Sequence, residues 1–374
     1  MEKRNGKMKA LFSYAPYDNR LEETDIPSAG PGELVLKVLG CGICAGDVKS
    51  YHGGIRIWGT SEENRYIEAP VIGGHEFFGE VVEIGEGMGI YSLGDRVVAE
   101  QIAPCGECEF CRQGKYWMCQ ESAVYGFKQH IHGGFAEYIK LHKNSRIHKI
   151  PDSFTAEQAV LVEPIACGMH AVELADIRHD DTVVIAGLGA IGTSMINLAG
   201  LYLPKKIIGI DVKPFRMEMG KKYGADHVLN PMECNIEEEI RKLTDGYGCN
   251  VYIEASGSPK SVTQGLQSLK NHGKYVQMGV FAEEVRADWN IIGDGKELSI
   301  RGSHLSALTF HSVITGIEKG LIKTEGLISH SFALEQWKEA FEAAEKDPQA
   351  MKVMLHPLLT ADRRKFAKSA FSIL

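Results

Sequence analysis

The chain has 374 residues, 41 basic against 49 acidic side chains, a formal net charge of −8 and 44% hydrophobic residues. At about 150 residues per domain this length predicts two or three cores, and the composition excludes a disordered or collagen-like chain. The acidic balance offers no general attraction for nucleic acid or anionic lipid, no stretch reaches the ~18 apolar residues of a membrane span, and Met1-Glu2-Lys3-Arg4 opens no signal-like apolar core. A cytoplasmic protein without nucleic-acid or membrane partners is therefore expected.

Residues 1–150 read as β-rich, with short apolar runs at 34–39 and 78–84 between glycine-bearing turns, which predicts a small barrel or sandwich. A helix is expected over 155–175. From 182 onward strands are expected at 182–186, 206–210, 227–229, 251–255 and 274–278, most of them separated by helical patterns. Alternation of that kind is the mark of a parallel sheet in an α/β domain. Near Arg301 the pattern ends, and the remainder, with an amphipathic stretch at 334–344 and a strand at 352–355, is expected to pack back on the first domain. The basic amphipathic tail 361–374 reads as a terminal helix rather than a membrane anchor.

The strand at 182–186 runs into Gly187-Leu-Gly189-Ala-Ile191-Gly192 and then a helical pattern, which is the context a dinucleotide-binding turn requires. Gly187 permits the tight turn, Gly189 lets the backbone approach a pyrophosphate, and Gly192 lets helix and strand pack closely. Asp211 ends the next strand, where a carboxylate binds a ribose 2′-hydroxyl and repels a 2′-phosphate, so NAD is expected over NADP. Lys213 and Arg216 nearby keep NADP in view.

Nine cysteines in a chain expected to stay in a reducing compartment point to thiols or metal ligands rather than disulfides. Cys105, Cys108, Cys111 and Cys119 supply four thiolates in one short segment, enough for a closed tetrahedral zinc shell. An iron–sulfur cluster uses similar spacing, but it would duplicate redox chemistry that the nucleotide motif already provides. Cys44, His75, Glu76 and Glu163 form a dispersed set whose donors suit a zinc site with one open position. Each of the four also has an ordinary structural reading, and spacing alone does not choose.

Taken together, Cys41-Gly-Ile-Cys44, Gly74-His75-Glu76, the four-cysteine segment, Val162-Glu163-Pro164, the glycine turn and Asp211 stand in the order, and roughly the spacing, of one family. The chain resembles the zinc-dependent medium-chain alcohol dehydrogenases, in their sorbitol and threonine dehydrogenase branch. The resemblance implies a GroES-like catalytic domain made from residues 1–162 and 306–374, with a Rossmann NAD-binding domain of residues 163–305 inserted in it. It implies two zinc ions per chain, one catalytic on Cys44 and His75 with Glu76 and Glu163 as carboxylate neighbours, and one structural on the four cysteines. Gly187, Gly189, Ile191, Gly192, Asp211 and Arg216 become cofactor-binding candidates. A homodimer or homotetramer acting on a small alcohol with hydride transfer to NAD is the further expectation.

The chain also departs from the family. Gly46 stands where relatives carry a serine or threonine that starts a proton relay, and Lys49 is the substitute candidate if burial depresses its pKa. At Arg301-Gly-Ser303-His304-Leu305-Ser306 the residues that bind sorbitol in sorbitol dehydrogenases are missing, and His304 is a candidate for lining the substrate cleft. The long segment between Cys44 and His75, with Tyr51-His-Gly-Gly and Trp58-Gly59, is similar to bacterial dehydrogenases of four-carbon polyols, erythritol and threitol. Trp58 is accordingly a candidate wall of a polyol site, or else an exposed oligomer contact. Threonine-type or polyol-phosphate dehydrogenases, and a non-catalytic NAD-binding relative, are the rival readings.

Overall fold

A computed structural model describes residues 6–358; the tail at 361–374 lies outside the described residues. The chain divides into two compact units at Leu161/Val162 and at Leu327/Ile328.

The first unit is β-rich. Its main sheet runs, in order, Ile147–Lys149, Arg96–Ala99, Glu76–Ile84, Leu34–Ile43, Lys352–His356 and Ile328–Ala333, with Tyr138–Leu141 also on Leu34–Ile43. The last two strands come from the far end of the chain, so both ends build this GroES-like domain. Leu34–Ile43 is buried on both faces near the middle of that sheet, and this is why it reads as an unbroken apolar run. A second sheet pairs Lys7–Ala15 with the polar strand Asp18–Asp25 and with Val71–Ile72.

Two features of the main sheet set up the site. Leu34–Ile43 has register shifts at Val35/Leu36 and Val38/Gly40, which bend a strand locally, and its end delivers Cys44 to the start of helix Ala45–Tyr51. In the antiparallel pairing with Glu76–Ile84, Gly42 lies opposite Glu76. Register, rather than sequence distance, thus brings positions 44 and 75 to one edge.

The second unit holds a six-stranded parallel sheet in the order His227–Leu229, Lys206–Ile210, Thr182–Ala186, Cys249–Glu254, Leu269–Gln277 and Ser299–Gly302. In order of appearance that is 3-2-1-4-5-6, the doubly wound Rossmann order, which switches direction between the first and fourth strands. The sixth strand was not expected, because its four residues are all exposed at the sheet edge and carry no apolar pattern. Residues 306–327 also fall in this unit, not with the chain ends as expected from the fading pattern at Arg301. The cause is helix Phe310–Glu318, whose buried face packs on helix Val162–Leu174, with the Thr309 hydroxyl donating to the Ala166 carbonyl at 2.8 Å. Among the described residues no helix is long and apolar enough to cross a membrane.

Candidate metal centres and dinucleotide site

The four cysteines of the first unit converge. One sulfur from each of Cys105, Cys108, Cys111 and Cys119 lies within 4.8 Å of the others, with Sγ–Sγ separations of 4.0 Å for Cys105–Cys111 and 3.6 Å for Cys105–Cys119. Zinc–sulfur bonds of about 2.3 Å at tetrahedral angles place ligand sulfurs about 3.8 Å apart, so the donor set fits one shared ion. An iron–sulfur cluster, whose cysteines bind different irons, needs its sulfurs more widely spread. Backbone N–H groups point at the sulfurs, with Cys105 N donating to Cys119 Sγ and Cys108 N to Cys105 Sγ, both at 3.3 Å. Donation of that kind favours thiolates: a backbone N–H from Cys111 draws the Cys108 thiol down to about 7. Burial pushes Cys111 up to about 12. Sulfurs this close hold their protons jointly unless a cation replaces them.

A second group, Cys44, His75 and Glu76, brings one donor atom each within the same 4.8 Å. Cys44 caps helix Ala45–Tyr51, and the Asp47 carboxylate accepts the Cys44 backbone N–H at 2.9 Å. The other Asp47 oxygen lies 3.8 Å from His75 Nδ1, beyond hydrogen-bond distance but close enough for charge attraction to the ring. Burial raises the Asp47 pKa and the neighbouring His75 opposes the rise. Glu76 is 1% exposed; its Oε1 accepts Lys352 Nζ at 2.5 Å, while its Oε2 is buried without a protein hydrogen-bond partner. A Cβ at Gly42 would stand 2.2 Å from that oxygen, so only glycine leaves the carboxylate its place. An orphaned carboxylate oxygen beside a thiol and an imidazole is what a partly open metal shell requires. Cys41, by contrast, is fully buried and its thiol is pushed far up by burial, which makes it a core residue rather than a ligand.

In the second unit, Gly187 has φ +96° and a Cβ there would meet Ser256 backbone at 2.6 Å, so the turn after Thr182–Ala186 demands glycine. Gly189 caps helix Ala190–Gly200, with nothing but Arg216 Nη1, 4.0 Å away, near its Cβ position. Gly192 packs directly on the turn, a Cβ there falling 1.8 Å from the Gly187 carbonyl. Ile191 lies half-buried in the first helical turn. Asp211 Oδ2 accepts the Leu188 N–H at 2.7 Å and Oδ1 the Lys213 N–H at 2.9 Å, and Arg216 Nη1 stands 4.0 Å from Oδ2. The acid therefore also braces the glycine turn, a second task that sequence did not suggest.

The chain was compared with known proteins. Residues 30–152 match the model of the alcohol dehydrogenase GroES-like domain, and residues 187–319 that of the zinc-binding dehydrogenases. The chain is 41% identical over 355 residues to an erythritol/L-threitol dehydrogenase of Mycolicibacterium smegmatis, covering 94% of this chain and 98% of that protein. It belongs to the zinc-dependent medium-chain alcohol dehydrogenases. Within this dehydrogenase family it is also 36% identical over 344 residues to an L-threonine 3-dehydrogenase of Pyrococcus horikoshii, covering 90% of this chain and 95% of that one. Among solved structures, an alcohol dehydrogenase from Escherichia coli CFT073 complexed with NADH superposes with a TM-score of 0.84 at 32% identity, covering 94% and 99% of the two chains. A candidate zinc-binding dehydrogenase from Sinorhizobium meliloti 1021 bound to NADP gives 0.85 at 27% identity, covering 94% and 100%.

Other expected site residues of this dehydrogenase fall differently. Glu163 lies in helix Val162–Leu174 of the second unit, buried, with the Cys167 thiol donating to its Oε1 at 3.4 Å. Lys49 is exposed, so the burial that a lysine relay needs is absent. Trp58 is 8% exposed: its indole N–H donates to the Ser50 carbonyl at 2.7 Å and its ring packs with Ile67, Val71 and Phe127. That corrects the reading of an exposed oligomer contact; the tryptophan anchors the long segment instead. His304 is solvent-accessible beside His170, and desolvation lowers both histidine pKa values, which leaves the two rings neutral at pH 7. Asp47 and Lys352 were missed. Asp47 stands at the third helical position after Cys44, where an acid often caps, and Lys352 is a lone charge opening an apolar strand; either signal could have been followed.

Proposed function

We propose that the protein oxidises a secondary hydroxyl of a short polyol, of the erythritol or threitol type, to a ketose, using NAD and two zinc ions per chain. The observation that carries this reading is the convergence of Cys44, His75 and Glu76 donors in one unit of a chain whose other unit presents the glycine turn and Asp211. The 41% identity to an erythritol/L-threitol dehydrogenase supports the substrate class.

When bound, a zinc ion at Cys44, His75 and Glu76 supplies Lewis acidity that eases deprotonation of the substrate hydroxyl, and NAD supplies the hydride acceptor. The chain's own residues do the rest. Asp47 ties down the Cys44 backbone and stands 3.8 Å from the His75 ring, Lys352 holds one Glu76 oxygen and leaves the other without a protein partner, and the four cysteines would hold a second ion. Asp211 recognises an unphosphorylated ribose, although Arg216 at 4.0 Å offsets part of its repulsion for a 2′-phosphate.

The deciding experiment is reduction of NAD and NADP over erythritol, both threitols, xylitol, ribitol, sorbitol and threonine. Turnover of four-carbon polyols with NAD is expected; activity confined to threonine or to phosphorylated polyols would reject the substrate. Asp211→Ala is expected to lower the ratio of kcat/KM for NAD over NADP at least about tenfold, because it removes the carboxylate that repels a 2′-phosphate. At Gly46 a Cβ would meet only Cys44 Sγ, at an ordinary 3.7 Å. Gly46→Ser should therefore raise stability by about 0.5 kcal/mol through helix propensity. It should also raise kcat at neutral pH if the missing hydroxyl limits proton transfer; an unchanged kcat–pH profile would show that the proton leaves by another route.

A further inference from the structure

Glu254 ends the fourth strand of the parallel sheet and is 0% exposed, yet among the described residues no lysine, arginine or histidine pairs with it. Its carboxylate collects neutral donors instead. Oε1 accepts the Ser256 N–H at 2.9 Å, the Gly257 N–H at 3.1 Å and the Ser256 hydroxyl. Oε2 accepts the Gln277 amide at 3.0 Å and lies 3.3 Å from the Gly257 nitrogen. The Glu254 carbonyl accepts the N–H groups of Met278 and Gly279, both at 2.9 Å. One buried residue thus fastens the loops that follow the fourth and fifth strands.

The surroundings are shaped to this contact. Gln277 donates also to the Gly279 carbonyl at 2.7 Å and accepts from the Tyr275 hydroxyl at 2.8 Å, which fixes its amide. A Cβ at Gly279 would fall 2.1 Å from Glu254 Oε2 and 2.6 Å from the Gly257 nitrogen. The first loop is tied to the nucleotide turn as well, with Ala255 N–H on the Ala186 carbonyl at 2.8 Å and Ser256 against Gly187.

In a doubly wound sheet the ligand lies outside the carboxyl ends of the strands at the switch point, one mononucleotide on each half. Asp211 marks the half formed by strands one to three, which leaves the loops after strands four and five to the nicotinamide half. We propose that Glu254 is a positioning residue for cofactor binding, its buried carboxylate setting both loops on which the nicotinamide half rests. This rests on the dinucleotide-dependent reading above. A carboxylate is needed because every group facing it is a donor; an amide would put an N–H against at least one of them.

The test is titration of the intact, zinc-loaded protein with NADH, followed by fluorescence, alongside steady-state kinetics. Glu254→Gln is expected to raise the NADH Kd and the KM for NAD about tenfold, as for loss of a charge-assisted hydrogen bond, with kcat, the KM of the alcohol substrate and zinc content unchanged. Ser256→Ala, which removes one exposed donor, should give a smaller rise of the same kind and carries the test if the buried variant fails to fold. The exchange Glu254→Gln with Gln277→Glu restores a donor–acceptor pair and should recover most of the binding. Wild-type affinity in both single variants overturns the proposal, as does a parallel rise in both KM values with a fall in Tm. Wild-type protein that binds no NADH would instead overturn the underlying dinucleotide reading.

Discussion

Cys44→Ser is expected to cut kcat/KM by about a thousandfold or more, equivalent to about 4 kcal/mol of transition-state stabilisation, and to reduce bound zinc from two ions per chain to one. A serine hydroxyl stays protonated at neutral pH, so the variant keeps the shape of the site but loses its one thiolate. Cys41→Ser is the matched control three residues away. Cys41 is fully buried with its thiol directed at the Gly42 carbonyl, so its serine variant should keep both ions and lose only about 1–3 kcal/mol of stability. Cys111→Ser should also lose one ion, but from the four-sulfur centre, with a fall in thermal stability out of proportion to any loss of kcat in the folded fraction. Metal analysis by mass spectrometry, with NAD reduction on the same samples, separates the three. Two ions and normal turnover in Cys44→Ser would place the chemistry elsewhere.

That pattern depends on which parts of the molecule leave a trace in sequence. The strands Thr182–Ala186 and Lys206–Ile210 were legible to the residue because a parallel strand covered on both faces is an apolar run bounded by glycine or polar residues, and the half-buried edge strand His227–Leu229 was found by its place in the alternation of strands and helices. Ser299–Gly302 left no trace, since an exposed edge strand is held by backbone hydrogen bonds to one neighbour and asks little of its side chains. Asp18–Asp25 is illegible for a similar reason: it pairs with Lys7–Ala15 but buries none of its residues fully. At the metal centres the four cysteines were legible because all four lie within 15 residues, whereas Cys44 and His75 needed the family's order of motifs to be joined. Their true link is the Gly42–Glu76 register of two adjacent strands, which no local pattern encodes. Asp47 and Lys352 were hidden because each matters only through a partner; for Lys352 that partner is 276 positions away.

Lys352→Met is expected to destabilise the protein by about 3–5 kcal/mol, because it strands the Glu76 carboxylate in a site where that residue is 1% exposed. Lys352 is itself 7% exposed and its Nζ also donates to the Ile43 carbonyl at 3.2 Å, so the variant removes the strand's tie to the end of Leu34–Ile43 as well. Combining Lys352→Met with Glu76→Gln should restore most of the loss, since a neutral pair of similar volume no longer holds an unpaired charge. Metal content sharpens the test. If Glu76 is a ligand or close neighbour of the ion, a bound cation takes over part of the lysine's task, and the cost of Lys352→Met should be smaller in zinc-loaded than in chelator-treated protein. Denaturant unfolding of the wild type, Lys352→Met, Glu76→Gln and the double variant, with and without zinc, measures both differences. A cost that is the same in either state would mean that Glu76 serves the strand contact alone and that the metal site relies on Cys44 and His75 without it.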